Sequence, residues 1–121
     1  MTFLSVGLGG AVGSMARYGL GVLSVKWNIP LMTFMINITG AIVMGFIVGI
    51  TMTRKDISSN TILFFKVGLC GGFTTFSALS LEVLNMLENN HILAGVTYAL
   101  ASMVTCVIGV WIGIWMGRKI A

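Results

Sequence analysis

Apolar positions along the chain gather into four long blocks, at about Phe3 to Leu23, Leu31 to Met52, Thr61 to Glu88 and Ile92 to Met116. Each reaches the roughly 20 residues that an α-helix needs to cross a bilayer. The pattern predicts an all-α membrane protein, one four-helix transmembrane domain over residues 1–121 with no soluble domain and no linker. Lys26 to Pro30, Arg54 to Asn60 and Asn89 to His91 read as loops. Ser58 to Asn60 supply side chains able to cap the third helix. The first block lacks a basic leader and contains Arg17, so it reads as a retained helix rather than a signal peptide.

Small and polar residues recur on one face of several blocks. Gly9 and Gly13 are four apart, Thr33, Asn37, Ala41 and Gly45 keep the same spacing, and Gly109, Gly113 and Gly117 repeat it near the chain end. Tyr98, Ser102 and Cys106 continue that last stripe toward the N-terminus. Such spacing lets helix backbones approach closely in lipid. No internal sequence repeat is visible.

The third block carries a different signal, Gly71-Gly72-Phe73-Thr74-Thr75-Phe76-Ser77. Glycine weakens a helix by roughly 1 kcal/mol relative to alanine, and threonine hydroxyls compete for backbone partners. The stretch predicts a break near the middle of the third helix, the first half ending near Cys70 and the second starting near Ser77. Unwound backbone inside a membrane persists only where protein or a polar cavity surrounds it. Its free carbonyls and helix ends suit ions, so an ion site is expected here.

Only 8% of the residues are charged, against about a quarter in soluble domains, and the mean hydropathy is +1.02. The net charge of +4 therefore says little about nucleic acid. It reads as a topology signal. With four spans, both termini and the Arg54 loop share one side, with Arg54, Lys55, Arg118 and Lys119. The other side holds Lys26 alone once Arg17 and Lys66 are placed within the membrane. The positive-inside rule puts both termini in the cytoplasm, in a multi-pass protein of the cell inner membrane or plasma membrane. Cys70 and Cys106 read as small buried hydrophobes, and the lone His91 as a loop residue. No nucleophile–base pair, paired carboxylates or phosphate loop is present, so an enzyme is not expected.

Polar side chains inside a membrane are costly and mark function by default. Asn37 offers either packing glue between helices or a donor to an anion. Arg17 and Glu82 either sit near the interface or pair with each other, or they divide their roles, Arg17 lending a vestibule positive potential and Glu82 organising hydroxyls. Lys66 reads as a snorkelling residue. Ser77, Ser80 and Ser102 either bond their own backbone or form a hydroxyl track. Phe76 either packs or turns its weakly positive ring edge toward an anion.

At these residues the chain resembles a known family. Gly9-Gly10-Ala11-Val12-Gly13-Ser14-Met15-Ala16-Arg17-Tyr18 is similar to the first-helix signature of Fluc/CrcB fluoride channels. Thr33-x-x-x-Asn37-x-x-Gly40 resembles the second, and Gly71 to Ser77, followed by Ser80 and Glu82, the third. The three motifs in this order, over the whole chain, are specific. The resemblance implies a passive fluoride channel that relieves cytoplasmic fluoride, built as an antiparallel two-fold dimer with two pores. It implies that Asn37 and Phe76 line the pore and that Ser77, Glu82, Tyr98 and Ser102 form a polar track. It also implies a structural Na⁺ held by the carbonyls of Gly71 and Thr74 from both subunits. Leu79 stands where the family carries a second Phe, and Ala78 where it usually has Thr, so Phe76 has no ring partner within the subunit. With that departure and the charge bias, the chain is expected either as a homodimer or with an oppositely oriented homologous subunit. Two other readings compete. A small proton-coupled multidrug exporter needs an embedded carboxylate, for which only Glu82 is available. A non-transporting packing subunit would explain the glycine stripes but not the third-helix stretch.

Overall fold

The computed structural model describes residues 1–28 and 31–121, and the described residues are mostly helical, with no strand. The loop expected over Lys26 to Pro30 lies partly outside them, at Ile29 and Pro30. Helix α1 spans Thr2–Lys26 and α2 Met32–Thr53. A third segment opens with α3, Ser59–Leu63, where the Ser58 hydroxyl accepts the Thr61 amide. It continues through a π-helical stretch, Phe64–Leu69, into α4, Cys70–Phe73. Thr74 and Thr75 are extended, and α5 follows over Phe76–Glu88. After a turn in which Asn90 takes a left-handed conformation (φ 63°), α6 runs over Ile92–Ile120.

Three stretches are long and apolar enough to cross a membrane, Met32–Thr53, Ser59–Glu88 and Ile92–Ile120. Helix α1, at 25 residues, is about 38 Å long, enough to span. Its glycines, serines and Arg17 dilute its hydropathy.

Glycine contacts divide the protein into two parallel helix pairs. In one, a methyl group at Gly45 or Gly49 of α2 would strike the carbonyl of Val110 or Ile114 of α6. Reciprocally, one at Gly113 or Gly117 of α6 would strike the carbonyl of Ile42 or Phe46. In the other, Gly9 and Gly13 of α1 lie against the carbonyls of Phe64 and Leu69, while Gly68 and Gly72 lie against those of Val6 and Gly10. Residue numbers rise together across both contacts, so each pair runs parallel. Without a hydrophobic force between helices in lipid, this backbone proximity and its dispersion gain hold each pair together.

The extended link sits where the third segment changes partner. Before it, the π-helical stretch and α4 pack on α1, and beyond it α5 packs on α6. The extended residues fall inside the stretch expected to break the helix, but the break is shorter than expected. Gly71 and Gly72 are helical, inside α4, and the backbone leaves the helix at Thr74 and Thr75. Gly72 serves close packing instead, since its Cβ would lie 2.6 Å from the Gly10 carbonyl oxygen. The expected alternative of an Arg17–Glu82 ion pair is not formed. Among the described residues the one salt bridge is Arg54–Asp56 at 2.6 Å, in the exposed loop after α2. The Arg54 hydrogen bond holds the Asp56 carboxyl below its ordinary pKa.

The packing predicts a contrast between two glycines. Gly113→Val drives methyl groups into rigid backbone of α2 and should lower stability by about 1–3 kcal/mol. Gly7→Val, whose Cβ meets nothing within 4 Å, should stay within about 0.5 kcal/mol of the parent. Thermal unfolding in detergent measures both, and equal melting temperatures would refute the close-packed α2–α6 seam.

Candidate functional site

The site is organised by one residue in an extended conformation. Thr75 has φ −150° and ψ 119°, the geometry of a β-strand residue. In that conformation its own N–H and C=O face the same side, and inside a membrane both need partners. The buried carboxamide of Asn37 supplies them. Its Oδ1 accepts the Thr75 amide at 2.9 Å, and its Nδ2 donates to the Thr75 carbonyl at 3.0 Å. Asn37 thus stands in for a neighbouring strand, with one Nδ2 hydrogen left over. Gly40, one turn further along α2, leaves room for the Thr74 methyl group.

Hydrogen bonding around the link frees particular carbonyls. A continuous helix would give the Thr75 amide to the Gly71 carbonyl and the Ala78 amide to the Thr74 carbonyl. Here the first goes to Asn37, and the second goes to the Thr75 hydroxyl at 3.2 Å. The Gly72 carbonyl instead accepts from Arg17 Nε at 3.2 Å, a cation at a helix C-terminal end. Thr74 folds back, its amide and its hydroxyl both donating to the Cys70 carbonyl.

Two clefts meet at Thr75, which lines both. One, of about 750 Å³, is the more polar of the two and is lined by Arg17, Thr33, Thr75, Glu82, Asn85 and Tyr98 among others. Within it each oxygen of the Glu82 carboxylate accepts a hydrogen bond. Thr33 Oγ1 donates to Oε1 at 2.5 Å and Tyr98 Oη to Oε2 at 2.6 Å. These short distances are those of charge-assisted bonds, and they tie α2, α5 and α6 together. The other cleft, of about 690 Å³, is mostly apolar and is lined by Asn37, Thr74, Phe76, Leu79, Ser80 and Ser102 among others. Phe76 is 81% exposed there, whereas Leu79 is buried. Ser102 is 2% exposed, and its hydroxyl has no partner among the described residues. An unmet buried hydroxyl costs about 1–3 kcal/mol.

The expected site residues therefore separate. Arg17, Glu82 and Tyr98 line the polar cleft, and Asn37, Phe76, Ser80, Ser102 and Thr74 the apolar one. The Ser80 hydroxyl bonds the Phe76 carbonyl at 2.9 Å, the backbone-bonded alternative anticipated for the serines. Ser77 and Gly71 are exposed and lie outside both clefts. Sequence reasoning missed Thr75 as a site residue. A threonine in the capping position before an apolar helix was the signal that could have found it.

The family described as "CrcB-like protein, Camphor Resistance (CrcB)" matches residues 4–114. The chain belongs to the CrcB family. Its CrcB relatives include a protein of Hyphomonas neptunium, 41% identical over 98% of this chain and 96% of its own length. Another, from Methylobacterium radiotolerans, is 39% identical over 93% of this chain and 81% of its own. A third, from Rhodospirillum rubrum, is 41% identical over 93% and 92%. All three relatives carry the name "Fluoride-specific ion channel FluC".

The Glu82 network predicts energetic coupling. Glu82→Gln and Tyr98→Phe should each destabilise by about 1–3 kcal/mol, because each removes a hydrogen bond to a charged carboxylate. The double variant should fall short of their sum by at least about 0.5 kcal/mol. A thermal-unfolding double-mutant cycle tests this, and strict additivity would show that the two side chains do not share a bond.

Proposed function

We propose that this CrcB chain is a fluoride-selective passive channel of the cell inner or plasma membrane, exporting cytoplasmic fluoride. The observation that carries the reading is the apolar cleft beside Asn37. It is narrow in chemistry, with few donors, an exposed aromatic ring and a buried hydroxyl left unbonded at Ser102. A small, strongly hydrated anion needs such donors to replace its water. The free Nδ2 hydrogen of Asn37 and the Ser102 hydroxyl supply them, and the Phe76 ring edge adds a weakly positive contact. Arg17 gives the polar cleft its positive charge and makes it a vestibule. Glu82 serves the track by orienting Thr33 and Tyr98. The names of the relatives support the same substrate. The exporter alternative is disfavoured, since both Glu82 oxygens already accept hydrogen bonds within the protein.

The functional unit in this reading is an antiparallel dimer of four-span subunits, with α1 as the fourth span and the third span broken at Thr74–Thr75. The exposed Phe76 and the open cleft leave a wall for a second subunit to complete. That subunit is either a second copy or an oppositely oriented homologue that brings the second Phe where this chain has Leu79. Structural Na⁺ fits the same link. Among the described residues no cluster of His, Cys, Asp or Glu offers metal ligands, whereas the Gly71 and Thr74 carbonyls have lost the amides that a continuous helix would give them. Carbonyl oxygen suits a hard monovalent cation, and a bound Na⁺ supplies charge that relieves repulsion between the two subunits' carbonyls.

Fluoride efflux from liposomes, read by electrode with chloride as control, tests the proposal. The parent protein should pass fluoride far faster than chloride. Asn37→Asp sets a carboxylate oxygen against the Thr75 carbonyl, and should bring flux to background while assembly is kept. Phe76→Ile should slow flux roughly tenfold. Equal fluoride and chloride rates in the parent would overturn the reading, and parent flux in Asn37→Asp would reduce Asn37 to packing glue.

A further inference from the structure

The link between α4 and α5 has an obvious candidate for its cause, the glycine pair before it, and the structure points elsewhere. Gly71 and Gly72 are helical, with no positive φ. The hydrogen bonds that take the extended residue out of the helix and start α5 instead converge on Thr75. Its amide and its carbonyl pair with Asn37. Its hydroxyl accepts the Ala78 amide, the donor that the Thr74 carbonyl would otherwise have. Phe76 is the next residue and the first of α5, so the direction of its ring follows from how Thr75 ends the extended segment. A capping hydroxyl fixes the entry of the chain into a helix.

We propose that Thr75 is the positioning residue of the ion path: its hydroxyl cap on α5 aims the Phe76 ring into the cleft and keeps the Thr74 carbonyl free. Asn37 holds the backbone of Thr75 and the hydroxyl of Thr75 holds α5, so the second helix and the aromatic contact act as one unit. The consequence for permeation rests on the channel reading above, while the geometric part does not.

The test uses two substitutions. Thr75→Val keeps the β-branched shape that favours extended backbone and removes only the hydroxyl. Thr75→Ser keeps the hydroxyl. Phe76 is labelled as 4-fluorophenylalanine, and its fluorine NMR line is recorded with the full-length protein in detergent, beside fluoride efflux from liposomes. Thr75→Val should shift or broaden the line and slow flux roughly fivefold to tenfold, the scale of a lost cap. Thr75→Ser should restore the line and most of the flux. Three results would overturn the proposal: an unmoved line in Thr75→Val, a moved line with parent flux, or Thr75→Ser as impaired as Thr75→Val. If the unsubstituted protein carries no fluoride, the channel reading fails by itself. The fluorine line alone then decides whether Thr75 holds Phe76.

Discussion

Two backbone groups of Thr75 must be satisfied inside a membrane, and one side chain does it. An extended residue shows its amide and carbonyl to the same side, and in lipid no water is available to meet them. The carboxamide of Asn37 has one acceptor and one donor at the right separation, and both are used. Without that pair the link would hold two orphaned polar groups, each costing several kcal/mol in hydrocarbon. The third segment would then gain by becoming a continuous helix. That helix could not pack on α1 with its first half and on α6 with its second.

The two glycine-lined pairs explain why the switch is needed. Helix α2 is locked to α6, and α1 to the first half of the third segment, by glycines that admit no side chain between backbones. Neither lock can slide without a collision. The chain between them therefore bends at one place, and the polar groups gather there. Arg17 closes the end of α4, Asn37 holds the link, and Glu82 binds Thr33 and Tyr98 across three helices. The cleft lined by Arg17 and Glu82 and the apolar cleft are the two sides of that bend.

Much of this was legible from residue pattern. The second and third blocks end within a residue or two of the observed helices, and the glycine stripes named the packing faces. What the pattern could not carry was tertiary. Gly71 and Gly72 read as a weak point because glycine is judged by its helix propensity, yet Gly72 is there because Gly10 leaves no space for a side chain. Helix α6 runs on to Ile120 past the expected end near Met116, because Gly117 still packs on α2. The π-helical turn has no sequence signature. The partners of Arg17 and Glu82 lie on distant segments, and for Arg17 the partner is a backbone carbonyl, which carries no residue identity to read. Thr75 was legible only through its capping hydroxyl, because its other two hydrogen bonds use backbone atoms that carry no residue identity.

The Asn37–Thr75 pair therefore holds the bend in place, and amide hydrogen exchange at Thr75 tests that role most directly. With the pair intact, the Thr75 amide should exchange as slowly as the helical amides of α5. In Asn37→Val it should exchange much faster, while amides along the α2–α6 seam keep their protection. Rapid exchange at Thr75 in the parent protein, or the same protection in both proteins, would contradict the account.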